Sequence, residues 1–153
     1  MYNPIYEISE RRKQHLKKSL YYCFILVFTT VFVFSCRDGG TPDIRVKGPK
    51  MVGTGDIAIF LLLVNDGNGS DSLVGCSLKE YPHVRGEMHD IIGGQMREVK
   101  EIAVPAGELV DLKRGSLHLM FFGLPEELPE KMTLKLKFKK SGDMEVEVPT
   151  RKS

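Results

Sequence analysis

Residues 132–139, MTLKLKFK, alternate apolar and polar side chains with a period of two. A strand sends successive side chains to opposite faces, so Leu134, Leu136 and Phe138 share a core-facing side. Lys135, Lys137 and Lys139 then face water. That lysine row reads as a solvated face or a guarded sheet edge rather than a binding stripe. Ser141, Gly142 and Asp143 turn the chain, and residues 144–148 (MEVEV) return as the second arm of a hairpin.

The same kind of signal recurs upstream. Residues 57–64 (IAIFLLLV) are a short, branched apolar run closed by the turn-forming NDGNGSD. Further strands are expected over 72–78, 84–89, 95–104, 108–112 and 117–122, each bounded by Gly, Pro or charged turns. A short strand is also compatible with residues 44–46. No long amphipathic helix pattern competes. Seven to eight short strands at regular spacing predict an all-β protein, a Greek-key β-sandwich.

The N-terminus has a different character. Residues 11–18 (RRKQHLKK) are basic, residues 19–35 are almost wholly apolar and uncharged, and Cys36 follows Ser35. A basic region, an apolar region and a small residue at a cleavage point are the marks of an export signal. Ser35-Cys36 resembles a bacterial lipobox, which implies cleavage before Cys36 and lipidation of its thiol. The alternative is an uncleaved anchor, its apolar run slightly short of the ~20 residues that span a bilayer. Either reading exports the rest. The expected organisation is a lipoprotein-type signal peptide over 1–35, a Gly/Pro-rich tether over 36–50 and one β-domain over 51–153. The predicted location is the periplasmic face of a bacterial membrane.

Charge then excludes one class of partner. The whole chain has 22 basic and 20 acidic residues, but five of the former and two of the latter lie in residues 1–35. The remainder holds 17 and 18, without the basic footprint of a nucleic-acid-binding domain. Beyond the signal there are two cysteines, Cys36 and Cys76. With Cys36 acylated no intramolecular disulfide forms, so the domain must stand on its core. Cys76, in SLVGCSL, is expected to be buried and inert, with no histidine beside it in sequence. There is no G-x-S-x-G, no H-E-x-x-H and no Gly-rich phosphate loop leading into a helix. The chain does not read as an enzyme.

His118-Leu119-Met120 is the segment with chemistry to offer. Residues i and i+2 of a strand share a face, so an imidazole nitrogen and a thioether sulfur could meet at one ion. Thioether with imidazole selects Cu(I) over hard cations, and thioethers avoid the disulfide chemistry of an oxidising compartment. A methionine in an apolar strand also serves as core filler, so the pair alone leaves both readings open.

Further segments carry a resemblance. Residues 96–99 (MREV), 102–107 (IAVPAG), Leu112-Lys113 and 115–124 (GSLHLMFFGL), with 64–77 (VNDGNGSDSLVGCS) and 87–90 (EMHD), resemble the PCu(A)C periplasmic copper chaperones over roughly residues 51–150. That family's motif is H(M)X10MX21HXM. Met96 and His118 keep the spacing of 21, and His118-x-Met120 matches. The first ligand departs: six residues separate His89 from Met96, and strict spacing falls on Arg85. A shortened loop after His89 accounts for this, with His83 as the fallback and Met88 as another substitute. The resemblance implies a cupredoxin-like sandwich and a Cu(I) site of His89, Met96, His118 and Met120. It also implies copper delivery toward cytochrome c oxidase, alongside Sco-type copper proteins. A copper-buffering or resistance lipoprotein, or a β-sandwich interaction module without metal, are the alternatives.

Overall fold

Short segments that are apolar on one side only are satisfied when two sheets cover each other's apolar faces. The computed structural model describes residues 39–150, and every regular element among them is a strand. The strands are β1 (Ile44–Thr54), β2 (Asp56–Asn65), β3 (Asp71–Leu78), β4 (Gly86–Ile92), β5 (Gln95–Glu98), β6 (Ile102–Val104), β7 (Leu109–Leu112), β8 (His118–Phe121), β9 (Lys131–Phe138) and β10 (Gly142–Pro149). One sheet runs β1-β2-β8-β4-β5, with β7 also pairing β2, and the other runs β10-β9-β3-β6. All the pairings are antiparallel.

Between the sheets lie Ile57, Ile59, Leu61 and Leu63 of β2, Leu119 and Phe121 of β8, and Met132, Leu134, Leu136 and Phe138 of β9. The alternation of β9 is realised as expected. Its lysines are not at a sheet edge, because β9 is paired on both sides. They form a solvated face on which Lys131 pairs with Glu147 at 2.9 Å and Lys135 with Glu145 at 3.2 Å.

Two expectations are corrected. The described residues hold ten strands rather than seven or eight. Residues 95–104 hold two of them in different sheets, because β5 pairs with β4 while β6 pairs with β3. The folded domain also begins before residue 51. Residues 44–50, expected in the tether, belong to β1 and pair along β2 from Ile44–Asn65 onward. Composition misled here, since the Gly and Pro of RVKGPK sit at an irregularity in the β1 register between Lys47 and Lys50. The signal segment and Cys36 lie outside the described residues.

Two buried polar side chains fasten the loops. The Asn65 amide oxygen accepts from the backbone of Asp43 and Gly67, both at 3.1 Å. Its nitrogen is within reach of the carbonyls of Gly69, Val104 and Pro105, at 2.9, 3.1 and 3.1 Å. The Asp71 carboxylate accepts from Ser72 N, Lys140 N, Ser141 N and the Ser141 hydroxyl. Burial alone would raise the Asp71 pKa; these four donors outweigh it and hold the carboxyl below its ordinary value.

Candidate metal centre

The alternation that sends Leu119 and Phe121 into the core, both fully buried, turns His118 and Met120 to the outer face of the six-stranded sheet. Across the β4–β8 ladder, His89 stands opposite His118 and Glu87 opposite Met120. Residues paired in register share a face, so all four belong to one patch. The same alternation turns Met88 inward, opposite Leu119 and within the core cluster.

Met96 arrives by a tight turn. Ile92 pairs with Gln95, leaving Gly93 and Gly94 as a two-residue loop with φ of 62° and 78°. Positive φ at both central positions is the requirement of a type I′ hairpin turn, which glycine meets without strain. The next pair, Ile91–Met96, puts Met96 on the same face as His89. The chain thus passes from His89 to Met96 through a two-residue turn.

The result is close approach. His118 Nε2 lies 3.4 Å from Met96 Sδ. The rings of His89 and His118 meet edge to face with centroids 5.8 Å apart. Phe60 packs on His118 at 6.2 Å and Phe122 on His89 at 6.1 Å. Both histidines are 6% exposed although they face outward, whereas Met96 is 50% exposed. The patch is therefore a dry pair of imidazoles with a solvent-facing thioether.

Each ring has one nitrogen engaged. His118 Nδ1 lies 2.7 Å from the Ser116 carbonyl oxygen, and His89 Nε2 lies 2.8 Å from Glu87 Oε2. His89 Nδ1 is buried and without a hydrogen-bond partner among the described residues. Glu87 also faces Arg85 at 3.5 Å, and Arg85 pairs with Glu98. The hydrogen bond and charge of Glu98 raise the Arg85 pKa, and Arg85 lowers that of Glu98. Arg85 thus lies just before β4 and ties Glu87 of β4 to Glu98 of β5. His83 is exposed in the turn between β3 and β4 and is not brought to the patch by any described interaction. Sequence reasoning missed Glu87, Phe60, Phe122 and the Ser116 carbonyl. The first of these was legible, since an i, i+2 carboxylate shares the face of its histidine.

Among the described residues no three His, Cys, Asp or Glu side chains are grouped to hold a metal ion. The methionine sulfurs can add to the imidazoles as donors on this face. That donor set suits a soft monovalent ion better than a hard divalent one.

Fold and patch together define a small all-β domain of cupredoxin-like architecture. Residues 41–150 match the family model described as "Putative lipoprotein LpqE-like", and the chain belongs to that LpqE-like family. Among solved structures it is similar to the copper-bound PCuAC domain from PmoF2, with a TM-score of 0.58 and 18% identity over 72% of this chain and 93% of that one. It is also similar to the apo PCuAC domain from PmoF1, with a TM-score of 0.61 and 16% identity over 74% and 100%. The apo PmoF2 PCuAC domain gives 0.55 and 17% over 72% and 91%. At these identities the likeness concerns the fold, and it bears out the cupredoxin-like β-sandwich expected from the sequence. A comparison with curated proteins finds no match.

Proposed function

We propose that this protein is an exported, membrane-tethered copper chaperone whose cargo is Cu(I), held by His89, Met96, His118 and Met120. The observation that carries the reading is the 3.4 Å approach of His118 Nε2 to Met96 Sδ, two soft donors brought from different strands onto one outer face. The buried, unpartnered Nδ1 of His89 beside them supports it, because such a group is explained when a ligand completes it. Copper is bound by the PmoF2 domain that shares this fold.

The exposure of Met96 suits a carrier rather than a permanent electron-transfer centre. A recipient's donors reach the ion from the Met96 side and displace the thioether first. The buried histidines release the ion last. Cys36 serves as the lipid-bearing residue that keeps the domain near membrane recipients. The copper centre of cytochrome c oxidase, loaded directly or with a Sco-type protein, is the recipient that the sequence resemblance favours. The domain's role is transfer without chemical change to a substrate, so no catalytic residue is assigned.

The test is Cu(I) binding to the purified full-length protein by competition with a chromophoric chelator, beside His89→Ala and Met120→Ala. One site weakened in both variants supports the four-donor set. Loss only in Met120→Ala removes His89 from the set. No uptake by the wild-type protein overturns the reading. For the recipient, a deletion strain with reduced oxidase activity restored by copper supports delivery to oxidase. Normal activity with raised copper sensitivity supports buffering instead.

A further inference from the structure

We infer that Glu87 is a positioning residue, fixing the His89 ring so that Nδ1, and not Nε2, is the nitrogen offered to Cu(I). This deepens the copper reading above and rests on it. A carboxylate only accepts hydrogen bonds, so at 2.8 Å the His89 Nε2–H donates to Glu87 Oε2. In the neutral ring the lone pair then resides on Nδ1. That atom is buried and has no partner among the described residues.

His118 is held the opposite way round. Its Nδ1–H donates to the Ser116 carbonyl at 2.7 Å, which frees Nε2 toward Met96 Sδ. The two histidines of the patch therefore present different nitrogens, each fixed by an acceptor on its own chain two residues earlier. Metal-binding histidines are commonly oriented by a carboxylate or carbonyl on the second ring nitrogen. Glu87 is itself braced, since its other oxygen faces Arg85 at 3.5 Å and Arg85 is tied to Glu98 on the neighbouring strand. A direct ligand role for Glu87 fits less well, because no group of three His, Cys, Asp or Glu is arranged around an ion among the described residues.

The experiment is imidazole nitrogen NMR on the purified full-length protein, combined with Cu(I) competition. The apo wild type is expected to show His89 protonated at Nε2 and His118 at Nδ1. Added Cu(I) is expected to displace the His89 Nδ1 and His118 Nε2 resonances. Glu87→Ala is expected to lose the fixed His89 tautomer and to weaken Cu(I) binding by about 10–100-fold. Glu87→Gln, whose side-chain carbonyl accepts the same bond, is expected to restore the tautomer and most of the affinity. Displacement of His89 Nε2 by Cu(I), or wild-type affinity in a folded Glu87→Ala variant, overturns the inference while leaving the copper reading standing. A wild-type protein that takes no Cu(I) overturns the copper reading and the metal-donor assignment together. The apo spectra of wild type and Glu87→Ala still decide whether Glu87 sets the ring.

Discussion

His89 and His118 face each other in register across β4 and β8, their rings edge to face at 5.8 Å. Register sets this pair independently of any ion, because Met88 and Leu119, their neighbours on the opposite face, are locked into the core. A one-residue slip would turn the histidines into the core between the sheets and send that core pair to the outer face. The two imidazoles are thus prearranged, and in the proposed site the methionines complete the donor set.

Met96 separates binding from folding. It is 50% exposed, so Met96→Ala should change stability by less than about 0.5 kcal/mol. Its sulfur lies 3.4 Å from His118 Nε2, so the same variant should bind Cu(I) more weakly than wild type. His118→Ala should weaken binding further. Chelator competition measures the loss of binding and chemical denaturation the change in stability. In wild type, free Cu(I) at one hundred times its Kd should add about 2.7 kcal/mol of stability. Met96→Ala that binds as wild type does would remove this thioether from the site.

The turn that delivers Met96 is a second point of control. Gly94 has φ of 78°, where a β-branched residue is strained. Open space surrounds the position where a side chain would begin, so any effect of Gly94→Val comes from the backbone. The variant should lose about 1–2 kcal/mol and weaken Cu(I) binding by loosening the Ile91–Met96 pair. Gly94→Asn, which tolerates the left-handed region better, should lie between the two. Equal copper affinity in all three proteins would show that the turn does not position Met96.

Asp71 makes stability depend on pH. Burial would raise its pKa, but hydrogen bonds from Ser141, Lys140 and Ser72 hold it below the ordinary carboxylate value. A carboxyl depressed in the folded state stabilises the protein above its unfolded pKa. That contribution fades as pH falls through the unfolded value and is gone below the folded one. Asp71→Ala should therefore destabilise strongly near neutrality, with a gap that narrows toward pH 3 or so. Urea unfolding of both proteins across that range measures it. A gap independent of pH would show that the carboxylate's charge does not matter.

Most of the architecture was legible because apolar segments bounded by turn signals survive in the sequence, as an unbroken run in β2 and as plain period-two alternation in β9. The division of residues 95–104 was not legible. Periodicity reports that a residue is in a strand, while membership of a sheet is decided by distant partners, here β4 for β5 and β3 for β6. The start of β1 was obscured because the glycine and proline that suggest a tether also accommodate an irregular edge strand. At the candidate site, His118 and Met120 share a face by local spacing alone. That His89 meets them depends on β4 pairing with β8, a contact that local spacing does not encode. The choice between His89 and Met88 was resolvable from alternation. The grip of Glu87 on His89 needed the geometry.

Cys76 offers a test of the core around the site strand. Burial, with a smaller contribution from the charge of Glu87, pushes its pKa up to about 12. Its sulfur lies 3.9 Å from the Glu87 carbonyl oxygen, and it packs against the core cluster. At pH 8 almost none of a thiol with that pKa is thiolate, the form that reacts with disulfide reagents. Native Cys76 should therefore react with an aromatic disulfide reagent far more slowly than the same cysteine in urea, where its pKa returns toward about 8.5. At pH 8 the native state therefore holds a far smaller thiolate fraction than the unfolded one, although local opening around β3 will set a floor on the native rate. Cys23→Ser and Cys36→Ser together isolate the Cys76 signal from the other two cysteines of the sequence. Adding Cu(I) should leave the native rate unchanged or lower it, since an ion bound by His89 on β4 stabilises the strand that covers Cys76. A native rate close to the unfolded one would place Cys76 at an accessible surface.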